Sequence, residues 1–339
     1  MRVLVTGSAG FIGAAVALKL LERGDDVIGI DNLNPYYDPA LKRARLARLT
    51  PHRRYTHVAG DIADRAAMER TFAEHKPQSV VNLAAQAGVR YAAQNPHAYV
   101  ASNVTGFLHV LEGCRAHAVE HLVYASTSSV YGANAKLPFE ETDATEHPLT
   151  LYAATKKANE MMAHSYAHLY SLPCTGLRFF TVYGPWGRPD MSYFQFARAI
   201  ERGEPIKLFN EGRHTRDFTY VDDIVEGVVR VLDRPPRPSG AWDPLRPDPS
   251  ASQAPYRLYN IGNQTQVELV YFIELIERAM GRNSPGPREL LPLQPGDVPD
   301  TRASVDALMR DTGYNPSTPV ETGVANFVEW YRAYAAGKF

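Results

Sequence analysis

Arg2-Val3-Leu4-Val5-Thr6-Gly7-Ser8-Ala9-Gly10-Phe11-Ile12-Gly13 is the stretch on which the fold turns. Val3, Leu4 and Val5 form a short apolar run of the kind that becomes a buried strand. The glycines follow, and Ala14 to Arg23 then carries a helical pattern closed by Gly24. A glycine-rich segment alone is weak evidence. Between a strand and a helix it becomes a tight turn whose backbone can approach a pyrophosphate at the helix N-terminus. Gly7, Gly10, Phe11, Ile12 and Gly13 are therefore expected to cradle a dinucleotide. Val27-Ile28-Gly29-Ile30 is a second apolar strand and ends in Asp31, followed by Asn32. Asp31 is placed to accept hydrogen bonds from an adenosine ribose, and its charge repels a 2′-phosphate, so the pattern favours NAD over NADP.

Strand and helix patterns keep alternating. Tyr55 to Ala59 leads into Gly60-Asp61-Ile62, where Asp61 can reach an adenine amino group beside Ile62. Val80-Val81-Asn82-Leu83-Ala84-Ala85-Gln86 reads as a buried strand ending in small residues, over which a cofactor can lie. Leu122 to Ala125 and Thr175 to Phe179 are further strands. Repeated βα units imply an α/β fold: a Rossmann-type, doubly wound parallel sheet with helices on both faces and ligands at the carboxyl ends of the strands. After Thr181 the alternation stops and Pro and Gly become frequent, where a smaller C-terminal α/β domain is expected to begin. The Pro-rich segment 235–255 reads as a surface connection, whereas Val267 to Met280 and Pro319 to Ala336 read as helices.

A chain of 339 residues has room for about two domains. The net charge of -1 supplies no field to attract nucleic acid or a membrane surface. The locally basic run Lys42-Arg43-Ala44-Arg45-Leu46-Ala47-Arg48 reads as the solvated face of a helix. No apolar run is long enough for a bilayer, and the N-terminal residues lack the pattern of a signal peptide. Cys114 and Cys174 fit a reducing cytoplasm, and no Cys/His spacing suggests a metal site.

Chemistry is carried by Thr150-Leu151-Tyr152-Ala153-Ala154-Thr155-Lys156. Thr150 is a suitable N-cap for a helix to about Tyr170, and residues four apart share a helix face. Tyr152 and Lys156 therefore point the same way. A free phenol with a pKa near ~10 is a poor base at neutral pH, and a nearby ammonium lowers it. The pairing is a way to make a phenolate base. The strand Leu122 to Ala125 runs into Ser126-Thr127-Ser128-Ser129, which places hydroxyls at the ligand crevice.

In this order, the glycine-rich loop, the hydroxyl cluster and Tyr-x-x-x-Lys resemble the extended short-chain dehydrogenase/reductases over nearly the whole chain. Four further segments narrow the resemblance: Ala85-Gln86-Ala87-Gly88-Val89-Arg90-Tyr91, Phe179 to Met191, Arg216-Asp217-Phe218-Thr219-Tyr220-Val221-Asp222-Asp223, and Gln294-Pro295-Gly296-Asp297-Val298. They look like those of the UDP-glucuronate 4-epimerases. The resemblance implies a catalytic triad of Thr127, Tyr152 and Lys156, with Lys156 also on the nicotinamide ribose. It implies further cofactor contacts from Asn103, Ser126 and Phe179, and a tightly bound NAD regenerated each turnover. It places the NAD-binding domain at residues 1–180, with segments around 216–235 and 256–266 returning to it, and the UDP-sugar-binding domain mainly at 181–339.

The mechanism implied is oxidation at the sugar C4, rotation of the 4-keto sugar, and reduction from the other face. A 4-keto-uronate is a β-keto acid, which loses CO₂ when the C5–carboxylate bond aligns with the carbonyl π system. The resemblance gives Arg188 the carboxylate, through two parallel charge-assisted hydrogen bonds, with help from Thr181, Ser128 and Ser129. Arg216 falls on the pyrophosphate, Phe209 on uracil and Asp297 on a ribose hydroxyl, while Arg90 either lines the pocket or closes its rim. Gln294 stands where UDP-glucose 4-epimerases usually carry an Arg. Rival readings are a UDP-glucuronate decarboxylase, a UDP-glucose or UDP-N-acetylglucosamine 4-epimerase, and a non-catalytic NAD sensor. A 4,6-dehydratase lacks support, because no carboxylate follows Thr127. The resemblance also implies a cytoplasmic homodimer, paired through helices near His97 to Cys114 and Tyr152 to Tyr170.

Overall fold

A computed structural model describes residues 1–282, 286–294 and 296–338, so Pro295 of the Gln294–Val298 segment lies outside the described residues. In chain order the strands are β1 (Arg2–Thr6), β2 (Asp26–Asp31), β3 (Tyr55–Ala59), β4 (Ser79–Asn82), β5 (His121–Thr127), β6 (Cys174–Phe179), β7 (Thr181–Tyr183), β8 (Ile206–Leu208), β9 (Thr215–Tyr220), β10 (Tyr256–Ile261), β11 (Gln266–Glu268) and β12 (Arg288–Leu290). Seven of them form one sheet in the order β10-β6-β5-β4-β1-β2-β3, with every pairing parallel. The order 3-2-1-4-5-6 is that of a doubly wound dinucleotide fold. Its direction reverses at β1, which pairs β2 on one side and β4 on the other, so a crevice opens at their carboxyl ends.

Both faces of this sheet are covered, which is why its strands read as continuous apolar runs. Val3 and Val5 of β1 pack into one core with helices Phe11–Arg23 and Val221–Leu232. Leu4, between them, points into the opposite core beneath helices Arg65–His75, Gly106–Ala116 and Leu151–Tyr170. Gly7 has φ +71°, and a Cβ there would lie 2.8 Å from the Ala84 backbone nitrogen. A Cβ on Gly13 would lie 2.0 Å from the Gly7 carbonyl oxygen. Only glycines let this helix begin directly on the end of β1.

The smaller half is built from two short sheets, β11-β9-β7 and β12-β8, with helices Ser192–Arg202, Leu269–Ala279 and Val320–Ala335. β9 runs into helix Val221–Leu232, and β10 pairs β6, so the chain crosses back to the large sheet twice.

Two expectations need correction. The basic run is not a solvated face. Helix Pro39–Leu49 buries Leu41, Lys42, Arg45, Leu46 and Leu49 together. Arg45 is fully buried; it donates to Ala9 O (3.1 Å), Tyr37 Oη (2.6 Å), Trp186 O (2.7 Å) and Gly187 O (2.9 Å). It thereby ties the glycine-rich loop to the loop that carries Arg188. The helix expected from His97 to Cys114 is also interrupted, since Pro96–Tyr99 passes into a π-helical segment, Val100–Thr105, before Gly106–Ala116. Within it the Asn103 carbonyl accepts a hydrogen bond from Asn159 Nδ2 at 2.6 Å, and the widened turn swings the Asn103 side chain inward.

Candidate active site

Helix Leu151–Tyr170 starts at the rim of the crevice, capped by Thr150, whose hydroxyl accepts from Ala153 N at 3.2 Å. Its first turns bring Tyr152 and Lys156 to a cavity that Thr127, Ser128 and Ser129 line from the end of β5. The Thr127 hydroxyl accepts from Ser129 N at 3.2 Å, which fixes the turn. Tyr152 and Lys156 are both buried, at 9% and 2% exposure. Burial lowers the Lys156 ammonium to about 8, partly opposed by Glu160 one helical turn on. Burial also raises the Tyr152 phenol above its ordinary value, more than the Thr127 hydroxyl and the Arg188 charge pull it down. The Arg188 guanidinium, 36 residues downstream, is a further positive charge that lowers this phenol. Behind the site, fully buried Glu160 accepts from Ser126 Oγ (2.6 Å) and from Arg178 (2.9 and 3.0 Å), which anchors the end of β5.

The same cavity runs along the carboxyl ends of β1, β2 and β4. Gly7, Gly10, Phe11, Ile12, Gly13, Asp31, Asn32, Asp61, Ile62, Leu83, Ala84, Ala85, Gln86, Ser126 and Phe179 all line it. Asp31 accepts from Ala9 N (3.0 Å) and Leu33 N (2.8 Å), so its carboxylate is held against the glycine-rich loop. Asp61 accepts from Asn32 Nδ2 and Ala63 N, each at 2.8 Å. Both carboxylates keep lone pairs for further donors. Helix Phe11–Arg23 opens on this cavity with no side-chain cap and no acidic residue in its first turn. Its first N–H groups need an acceptor, and a pyrophosphate supplies one; the residues present fit a bound dinucleotide.

Asn103 is the exception among the expected cofactor residues, for it does not line the cavity. Its side-chain oxygen accepts from Gln86 N (2.8 Å), and its amide donates to Gln86 O and Thr155 Oγ1, each at 3.0 Å. It joins the loop after β4 to helix Leu151–Tyr170, and its neighbour Ser102 reaches the cavity instead. Residues that sequence reasoning missed come from the loop after β2 and the helix that follows it: Asn34, Tyr36 and Tyr37 from the loop and Lys42 from helix Pro39–Leu49 line the cavity. The available signal was the pair of adjacent tyrosines, Tyr36-Tyr37, in a loop leading from a ligand-facing strand.

A second cavity opens from the first, and Tyr36, Ala87, Val89, Thr181, Arg188 and Met191 line both. Arg90, Phe209, Arg216 and Asp297 are gathered in it from segments far apart in the chain. Arg90 donates to Asp297 at 2.9 Å, and its guanidinium lies 4.7 Å over the Phe209 ring. It lines the pocket, then, and covers the ring expected for uracil. Arg216 donates to Pro299 O (2.6 Å) and Thr215 O (3.0 Å). Arg188 sits where the cavities meet, but its fork is not free. Nε donates to Asp190 Oδ1 at 3.0 Å and Nη2 donates to Asp190 Oδ2. Only the remaining edge, Nη1 with the second Nη2 hydrogen, is left for a ligand carboxylate.

Comparison with known proteins agrees with this geometry. Residues 3–242 match the model of the NAD dependent epimerase/dehydratase family. A probable UDP-glucuronate 4-epimerase of Rhizobium meliloti is 51% identical over 332 residues, covering 98% of this chain and 97% of the relative. UDP-glucuronate 4-epimerase 3 of Arabidopsis thaliana is 47% identical over 339 residues, covering 99% of this chain and 77% of the relative. The crystal structure of a Bacillus cereus UDP-glucuronic acid 4-epimerase, in complex with UDP-glucuronic acid and NAD, superposes with a TM-score of 0.87 at 28% identity, covering 98% of this chain and 100% of that one.

Proposed function

We propose, from the premise that this chain belongs to the NAD dependent epimerase/dehydratase family, that it is an NAD-dependent isomerase converting UDP-glucuronate to UDP-galacturonate through a transient 4-keto sugar. The observation that carries the substrate is Arg188. It is a guanidinium at the junction of the two cavities, and its charge acts on Tyr152. A neutral hexose offers no charge to the edge of Arg188 that Asp190 leaves open, whereas a uronate does.

Tyr152 takes the proton from the sugar 4-hydroxyl, and the Thr127 hydroxyl bonds the same oxygen. When bound, NAD supplies the redox chemistry, accepting and returning the C4 hydride, and its oxidised ring adds positive charge that favours the phenolate. Lys156 holds the nicotinamide ribose; burial lowers its ammonium, and the carboxylate of Glu160 opposes that shift. Tyr152 returns the proton to O4 after the keto sugar has turned over. Arg188, with Ser128, Ser129 and Thr181 on the cavity wall, holds the carboxylate away from the alignment that releases CO₂. Arg216 takes the pyrophosphate, and Asp297 and Phe209 take the uridine beside Arg90. On this reading residues 1–180, with β10 and helix Val221–Leu232, serve the cofactor, and the rest of 181–339 serves the UDP-sugar.

Incubation with UDP-glucuronate, followed by proton NMR of the sugar, is the direct test. Galacturonate signals are expected. A pentose with released CO₂ means a decarboxylase, and no turnover of any UDP-sugar overturns the assignment.

The proposed assembly is a homodimer joined as a four-helix bundle. It is supported by large apolar side chains left in solvent on two neighbouring helices: Val100 (45% exposed) and Leu108 (39%) on one, Met161 (50%) and Leu169 (66%) on the other. Light scattering is expected to find a dimer, and Leu108→Glu combined with Met161→Glu to halve the mass; a monomeric parent protein contradicts the assembly. A cytoplasmic location is supported by Cys114 and Cys174, both buried as free thiols.

A further inference from the structure

We propose that Asp190, steadied by Tyr36, is a positioning residue that fixes which edge of Arg188 meets the sugar carboxylate, and that this fixed edge is what protects the 4-keto-uronate from losing CO₂. The proposal rests on the epimerase reading given above. Arg188 lies in an irregular loop between β7 and helix Ser192–Arg202, and an arginine side chain there has many rotamers to choose from. Something must hold its guanidinium still. Asp190 does so two residues on, bonded to Nε at 3.0 Å and also to Nη2. The turn itself is closed by Met191 N donating to Arg188 O at 3.1 Å. Asp190 is held in turn from outside the loop, because Tyr36 Oη donates to its Oδ2 at 3.3 Å, across 154 residues of sequence.

The arrangement has a direction. Arg188 and Tyr36 line both cavities, whereas Asp190 lines only the second. The carboxylate of Asp190 therefore belongs to the wall of the second cavity, and not to the first, which Tyr152 lines. The Nε edge is closed by Asp190, which leaves the Nη1 edge for the sugar carboxylate. Asp190 thus does not occupy the substrate carboxylate's place. It is a permanent counter-charge that keeps a partly buried cation tolerable between turnovers and leaves one edge for a second carboxylate.

The consequence concerns the keto intermediate. Decarboxylation breaks the bond from C5 to the carboxylate carbon, leaves the electron pair at C5 as the C4 enolate, and ends when C5 takes a proton. No oxidant or reductant is consumed. The bond breaks only while it lies parallel to the carbonyl π orbitals. An arginine free to swing would follow the carboxylate through every orientation as the ring turns over. An arginine pinned by Asp190 accepts the carboxylate in one plane only.

The test compares the NAD-loaded parent protein with Asp190→Ala, Asp190→Asn and Tyr36→Phe, using UDP-glucuronate. Released CO₂ and UDP-pentose are measured against UDP-galacturonate, together with KM. A misplacement of this kind is worth about 10²-fold in a catalytic preference. Asp190→Ala is expected to raise the ratio of decarboxylated to epimerised product toward that size. Asp190→Asn, which keeps the shape and one acceptor, is expected to restore much of the parent ratio, with Tyr36→Phe in between. UDP-glucose binding, which does not use the clamp, is expected to change much less than use of the uronate. An unchanged product ratio in Asp190→Ala overturns the proposal. So does a lower KM for the uronate, which would mean that Asp190 competes with substrate. Should the alanine variant fail to fold, the asparagine and Tyr36→Phe variants carry the same comparison. A parent protein that does not epimerise UDP-glucuronate refutes the functional reading instead, so the two failures are distinct.

Discussion

Tyr152→Phe is expected to lower kcat for 4-epimerisation by about 10²–10⁴-fold, the usual worth of a positioned general base, while the protein keeps its NAD. The substitution removes one oxygen from a ring whose packing stays the same. The edge contact with Tyr99, at 6.3 Å and 79°, does not involve the hydroxyl, and the helix start is held independently by Thr150. What disappears is the ionisable oxygen that Tyr152 brings to the cavity beside Thr127. Burial already holds this phenol above its ordinary value, so its deprotonation depends on nearby positive charge. Activity of the parent protein is accordingly expected to fall as pH falls. The measurements are steady-state kinetics by NMR and release of nucleotide on denaturation. Ordinary turnover by the phenylalanine variant would remove Tyr152 from its role.

Arg188→Ala is expected to weaken binding of UDP-glucuronate by about 2–5 kcal/mol, or roughly 30- to 5,000-fold, the range for truncating one member of a buried charge pair. UDP-glucose binding is expected to change much less. The comparison needs one control that the structure makes plain. Removing Arg188 strands Asp190, a partly buried carboxylate held low by that cation once burial's opposing effect is outweighed. Part of any loss could come from this orphaned charge. The double variant Arg188→Ala with Asp190→Asn removes the stranded charge as well as the clamp. Calorimetry on both variants separates the effects, since the uronate-specific loss persists in the double variant if Arg188 binds the carboxylate. Equal losses on the two nucleotide sugars in both variants would show that Arg188 serves only the local structure.

Much of the site is local in the chain. The turn from β1 through Gly7 and Gly13 into a helix, and the carboxylate of Asp31 at the end of β2, lie within about thirty residues of one another, in a unit whose geometry follows from strand, turn and helix in sequence. Tyr152 and Lys156 need only helical spacing to share a face. For these residues backbone sterics and periodicity suffice, and the cavity contains each of them as expected. The basic helix is the counter-example. Lys42 and Arg45 carry the composition of a surface, yet both are buried, because carbonyls of two distant loops converge on Arg45. Charge alone favours solvent; only the assembled loops provide enough acceptors to offset desolvation.

By itself, then, the sequence determined the doubly wound sheet, the dinucleotide crevice and the Tyr–Lys helix, because these depend on residues near one another along the chain and on backbone rules that hold in any context. The tertiary structure alone decided the long-range pairings: which edge of Arg188 is open once Asp190 and Tyr36 close the other, that Arg90 crosses 207 residues to meet Asp297 over Phe209, and that Asn103 supports Gln86 without reaching the cofactor cavity. A side chain's free hydrogen-bonding capacity is what remains after its neighbours have been satisfied. Those neighbours are set by how the two halves fold against each other, which no local pattern encodes.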